Sequence, residues 1–321
     1  MDIDVFEPEE LDTVFRVLRA ALSPRLPLNS AEKAFLGTYA RIVGYRFGPP
    51  GPQPIPMHEV RIEGAHQRKR LVQLAALAAH VSSPPRPSAV AFVRKLSRHL
   101  GVKESAVDVL EALVDARHGK VRFLVMKRMM GIVLTEARRA EGSLGSLRFL
   151  AALFLRVAVN KDKLWRYKRL GLLPEGTLGR EFWKHLTSRG FSFPGEPGGI
   201  PDAGAYHDVG HVLAGNDTTP LGEIQQASFQ AGNRRDDGFA FVQFGILQFH
   251  HGVRQTPIAP AEYGHFDPEK VLWEIHRGAK CGMDITHQWD FWPLMALPIE
   301  EARARCGLLP RLQPAAERIA A

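Results

Sequence analysis

The sequence predicts an all-α protein. Two observations carry that reading: from about residue 9 to 160 apolar side chains return at three- and four-residue steps, and the alternation that marks strands is scarce. A length of 321 residues exceeds the usual size of one domain, about 100–200 residues. Two domains are therefore expected, a helical N-terminal region at 1–146 and a second helical domain at 147–321. A composition of 45% hydrophobic and 24% charged residues, with no low-complexity tract, is that of a globular chain able to bury a core.

Taken in order, a first helical hairpin ends at GPPGPQPIP, residues 48–56, which holds too much Pro and Gly for helix and reads as a loop or linker. Leu71, Leu74, Ala75 and Ala78 form the apolar stripe of the next helix. Ala89, Val93, Leu96 and Leu100 form another, opened by the breaker SSPPRPS with Ser88 as the expected N-cap. A further helix around Val107, Leu110 and Val114 follows Ser105. The pattern RLVQLAALAAHVSS…AFVRKLSRHLGVKESAVDVLEAL resembles the small helical domain of tellurite-resistance type, without a cluster of acidic metal ligands.

From 147 to 170 the chain reads LRFLAALFLRVAVNKDKLWRYKRL, apolar residues interrupted by Arg148 and Arg156 and then a basic, aromatic patch. Lys161, Lys163, Arg166, Lys168 and Arg169 surround Trp165 and Tyr167 there. One reading is a helix lying on an anionic bilayer, with cations at the headgroups and aromatics at the interface. The other is a core helix with a solvated basic end.

A formal charge of +8 and a pI near 9.6 favour anionic partners. The Cys/His fingers, RNP-like strands and basic zippers of nucleic-acid modules are all missing from the sequence, so a membrane surface ranks above nucleic acid, which is not an expected partner. Cys281 and Cys306 allow at most one disulfide, and the start MDIDVFEPEE is acidic and without the apolar centre of a signal peptide. A cytoplasmic protein peripheral to the inner membrane is expected. No uncharged apolar run reaches the roughly 18–20 residues that span a bilayer.

The segment with most chemical content is AYHDVGHVLAGNDTTPLGEIQQ, residues 205–226. On a helix, His207 and His211 at i and i+4 project from one face, so two imidazoles reach one ion. Asp208 lies one residue round. Gly215 ends that helix, GNDTT turns the chain, and Thr219 with Pro220 reads as N-cap and N1 of a second helix carrying Glu223 in its first turn. An antiparallel pair would bring Glu223 back to the histidines. Two nitrogens and two carboxylates suit Zn²⁺ first, then Fe²⁺ or Mn²⁺, ahead of the all-oxygen preference of Ca²⁺ or Mg²⁺.

This arrangement, His-Asp-x-x-His followed by eleven residues and Glu, resembles the signature of the coenzyme Q biosynthesis protein 4 family. LLPEGTLGREFWKHLTSRGFS at 172–192 and RGAKCGMDITHQWDFWPLMALPIEEARARCGL at 277–308 look like that family's flanking segments, so the likeness spans roughly 165–310. The long helical N-terminal region is foreign to the family. The resemblance implies an all-helical domain, a bound divalent ion held by His207, Asp208, His211 and Glu223, attachment to a membrane, and an apolar cavity for a prenylated quinone precursor. It implies either ring decarboxylation and hydroxylation in ubiquinone-type biosynthesis or a scaffold that assembles other quinone-biosynthesis proteins. A second copy of the chain is admitted as a further partner. Four protein ligands close a tetrahedral zinc site, so catalysis would require one weak ligand, Asp208 or Glu223, and these two are the expected catalytic residues.

Other features have plainer readings. The run 238–253, GFAFVQFGILQFHHGV, is apolar on nearly every face, as in a core helix or one bordering a lipid cavity. His250 and His251 point in different directions and stay outside the ligand set. Arg234, Arg235, Asp236 and Asp237 read as a solvated turn, with a carboxylate-holding role for an arginine as the alternative. An HD-type metal phosphohydrolase would start from His207 and Asp208 and draw on His185 with Asp236 or Asp237. Trp289, Phe291 and Trp292 read as packing residues, and His265, His276 and His287 lack ligand spacing.

Overall fold

A computed structural model describes residues 1–24, 26–132, 134–135, 138, 161–196, 202–256, 259–287 and 289–311. Its regular structure is helical, as expected from the periodicity; among the described residues, extended pairing is limited to the bridges Thr177–Pro298 and His251–Tyr263. The helices are α1 (Leu11–Leu22), α2 (Ser30–Ile42), α3 (Ala65–Ala79), α4 (Pro87–His99), α5 (Ser105–Val114), α6 (118–132), α7 (Lys161–Lys168), α8 (Leu178–Thr187), α9 (Asp202–Ala214), α10 (Pro220–Asn233), α11 (Phe239–Phe249), α12 (Pro268–Lys280) and α13 (Ile299–Cys306). None of the described helices is long and apolar enough to cross a membrane.

The chain forms two compact units. Met1–Met129 with Glu223–Ala279 make the first, and Met130–Gly222 with Lys280–Ala321 the second. Neither unit is a contiguous stretch, so they do not coincide with a break at 146; the apolar helices α10 to α12 pack with the N-terminal ones.

In the first unit α3 is buried along Leu71–Ala79, and its run of Ala and Leu lets neighbouring helices approach from several sides. The apolar face of α1, with Val14, Phe15, Val17 and Leu18, and the buried length of α11 complete one continuous core with α2, α4 and α5. Most of the run 238–253 is thus a core helix, Phe239–Phe249, with His250–Val253 continuing beyond its end. Local start signals are legible: Asn29 and Glu32 form a reciprocal capping box at α2. At α4 the expected N-cap Ser88 is displaced, because Pro87 takes the first helical position, where its fixed φ fits and its missing N–H is harmless, leaving Arg86 as N-cap.

Helices α10 and α12 cross at two glycines. A Cβ on Gly232 would lie 2.0 Å from the Ile275 carbonyl oxygen, and one on Gly278 would lie 2.1 Å from that of Phe229. The two backbones touch where a side chain would hold them apart.

The charged turn before α11 is held by ion pairs. Arg234 is buried, bonds Asp236 at 3.1 Å and lies over the Phe241 ring, while Asp237 binds Arg128 of α6, which also reaches Glu104 at 2.7 Å. These pairings account for Arg234, Asp236 and Asp237 without a ligand.

In the second unit the closing region holds the start of α8. Leu178 and Gly179 donate to the carbonyls of Leu297 and Met295, and Ile299 donates back to Gly176, all within 2.8–2.9 Å. Tyr167 departs from the expected surface patch: it is buried against Phe182, Phe291 and Trp292. Its ring is long enough to reach the aromatic core from the inner side of α7. Trp165, by contrast, is 64% exposed beside Lys161, Arg166, Lys168 and Arg169. The apolar stretch preceding the patch, with Arg148 and Arg156, lies outside the described residues. Cys281 and Cys306 are not joined in a disulfide, and the Cys281 thiol donates to the Cys306 carbonyl oxygen at 3.1 Å; burial pushes the Cys306 thiol up to about 12, so it remains protonated.

Candidate metal centre

Helix α9 ends as the sequence predicts. Gly215 adopts φ +74°, and the amides of Gly215 and Asn216 both return to the His211 carbonyl, at 2.8 and 3.1 Å. Arg303 of α13 meets two further terminal carbonyls, those of Leu213 at 2.8 Å and Val212 at 3.1 Å. The five-residue turn then starts α10: Asp217 accepts from the Thr219 amide and hydroxyl, and Thr219 Oγ1 accepts from the Gly222 amide at 3.1 Å, the N-cap bond. Only glycine fits at 222, since a Cβ would lie 2.0 Å from Asp217 Oδ1.

This folded turn brings His207, His211 and Glu223 together, with one ligand atom from each lying within 4.8 Å of the others. The imidazoles of His207 and His211 face each other through their Nε2 atoms at 3.0 Å. His211 is buried, and its Nδ1 lies 3.1 Å from the Asn216 carbonyl oxygen. A carbonyl only accepts, so Nδ1 carries the proton and Nε2 presents its lone pair toward His207. A ligating histidine is usually oriented in this way, by its second N–H held on a fixed acceptor. The donor set therefore fits a divalent ion, with the turn that connects the two helices also fixing the tautomer of one ligand.

Asp208 is placed differently from the expectation. It is not a member of this group; its carboxylate lies 3.5 Å from His185 Nε2 on α8. The cause is helical geometry, since residue 208 is rotated about 100° from 207 and faces α8. His185 is buried, and its ring centroid lies 5.5 Å from that of His211. From the sequence His185 has a role only in the HD-type alternative; its place on the apolar side of a helix that ends in WKHLT is the available signal. Asp236 and Asp237, the other residues that alternative requires, are engaged by Arg234 and Arg128 within the first unit. His250 and His251 likewise belong to a histidine cluster of that unit.

Compared with models of known protein families and with curated proteins, the chain matches none.

Proposed function

We propose that this protein is a metal-dependent enzyme that acts on a prenylated quinone precursor or related lipid in ubiquinone-type biosynthesis, replacing a ring carboxyl group with hydroxyl. The carboxyl group leaves as carbon dioxide, while dioxygen takes up the two electrons and, with water completing the balance, is reduced to hydrogen peroxide. The observation that carries the reading is the three-donor set His207, His211 and Glu223, with His211 oriented by the Asn216 carbonyl. Two histidines and one glutamate leave a coordination position open, whereas four protein ligands would close it. A Zn²⁺, Fe²⁺ or Mn²⁺ ion held there would supply Lewis acidity toward a carboxyl or phenolic oxygen. The substrate class comes from the resemblance over 165–310.

The chain's own residues supply the rest of the reading. Glu223 contributes the anionic donor, and Asp208, buried beside His185, places a second carboxylate on the same helix as the two histidines. The isoprenoid tail would lie among apolar helices.

The test is Glu223→Gln, which preserves size and removes charge. With wild type and variant matched for metal content, loss of ring carboxylate from a carboxylated prenylphenol, with dioxygen as oxidant, is followed by mass spectrometry. Turnover is expected to fall by about a hundredfold or more, with the fold retained. Absent or equal turnover would move the reading to a lipid-binding scaffold of a quinone-biosynthesis complex.

Membrane attachment is proposed through Lys161, Lys163, Arg166, Lys168 and Arg169 around the exposed Trp165. Each cation near an anionic surface contributes about 1 kcal/mol, screened beyond about 8 Å at physiological ionic strength. Sedimentation with vesicles containing anionic lipid should be strong at low salt and fall about tenfold or more at high salt, with neutral vesicles binding poorly. Equal binding to both would remove the electrostatic attachment.

A further inference from the structure

The first unit buries three histidines that the metal reading leaves unused. His80 caps the C-terminus of α3, while His250 and His251 close α11, and all three are at most 5% exposed. Gln243 Nε2 lies 3.4 Å from the Ala106 carbonyl oxygen and 3.5 Å from His80 Nε2. His80 Nδ1 lies 3.0 Å from His251 Nε2, and His251 Nδ1 lies 3.2 Å from Ser83 Oγ, which is 2.9 Å from the His250 carbonyl oxygen.

Both ends of this chain rest on backbone carbonyls, which only accept, and each end dictates the same polarity. From the Ala106 end, the Gln243 amide nitrogen must point at the carbonyl, so it also donates to His80 Nε2. His80 must then carry its proton on Nδ1 and donate to His251 Nε2. From the other end, the Ser83 hydroxyl donates to the His250 carbonyl, so its oxygen accepts from His251 Nδ1–H. Every proton position is filled once. Adding a proton to His80 sets an N–H against the Gln243 amide, and adding one to His251 sets an N–H against His80 Nδ1–H.

We propose that the chain Gln243–His80–His251–Ser83 is an acid-sensitive latch: it holds the 81–83 loop and the 250–253 segment onto α3 and α11 while both imidazoles are neutral, and releases them when either is protonated. The polarity also excludes a nucleophilic role for Ser83, whose hydroxyl is committed to a carbonyl while His251 Nδ1 donates to it. Among the described residues, the titratable groups that act on the three rings are themselves histidines. His250 accepts from the Phe266 amide through Nδ1 at 3.1 Å, and His265 acts on it from the loop before α12. Among the described residues no carboxylate acts on any of the three; Glu32, which meets the same loop at Ser82, is paired with Arg86. Burial holds His80 down at about 3 and His250 at about 4, and drives His251 lower still, assisted by repulsion among the rings.

An unfolded histidine titrates near 6.5, so the stability these groups contribute is complete above that pH and is lost as pH falls below it. Hydrogen exchange of the full chain, read on peptides covering 78–83 and 249–253, tests the latch at pH 7.5 and 5.0 after correction for intrinsic rates. Each released histidine contributes about a 30-fold loss of protection over that interval. His80→Asn with His251→Gln keeps a donor facing an acceptor but cannot titrate, so wild type should lose about 10³-fold more protection than the double variant. Protection unchanged in wild type, or an equal loss in both proteins, would overturn the latch. Should the double variant fail to fold, ¹⁵N spectra of the wild-type imidazoles at pH 7.5 decide: protons on Nδ1 of His80 and His251 and on Nε2 of His250 are expected, and a cationic ring or the reverse tautomers would refute it.

Discussion

His211→Ala is expected to raise the dissociation constant for a divalent ion by about a thousandfold or more, about 4 kcal/mol, and His207→Ala to do the same. With three donors assembled by the α9–α10 turn, losing one imidazole leaves a pair, and a pair does not retain an ion through purification. His211→Ala also releases the Asn216 carbonyl from its ring partner, so it should loosen the turn as well. Elemental analysis with competition against a chromogenic chelator measures the loss. Full occupancy in either variant would place the ion elsewhere. Asp208→Asn offers a graded comparison: a carboxylate facing His185 and outside the three-donor group should cost about tenfold, the scale of an orienting contact. A loss equal to that of the histidines would make Asp208 a ligand.

Gly278→Ala is expected to destabilise the protein by about 3 kcal/mol or more, although alanine normally favours a helix by about 1 kcal/mol over glycine. Its Cβ would lie 2.1 Å from the Phe229 carbonyl oxygen and 2.8 Å from the Asn233 amide nitrogen, and both are backbone atoms that cannot rotate away. Gly232→Ala should behave alike, because its Cβ meets Ile275 and Ala279 backbone across the same crossing. Gly119→Ala is the control: nothing lies within 4 Å of the added carbon at an exposed site of α6, so it should be neutral or stabilising by up to about 1 kcal/mol. Urea midpoints of the three variants measure this. Equal midpoints for Gly278→Ala and Gly119→Ala would show that α10 and α12 do not touch through their backbones.

Periodicity alone determined that the protein is helical, since apolar residues at three- and four-residue steps give a stripe only in that geometry. Residues 205–226 determined most of the candidate centre: the i, i+4 histidines, Gly215 as helix stop and Thr219-Pro220 as helix start are local signals, and a five-residue turn leaves Glu223 little choice but to return toward them. Contacts distant in sequence were decided by the tertiary structure. The pairing of Asp208 with His185, the burial of Tyr167, the grouping of α10 to α12 with the N-terminal helices and the meeting of His80 with His251 each depend on which helix packs on which face. Hydrophobic patterning says that a face is buried, but burial is non-directional and does not name the partner. Backbone approach at Gly232 and Gly278, and proton positions along a chain of imidazoles anchored on two carbonyls, are set only once those partners are in place.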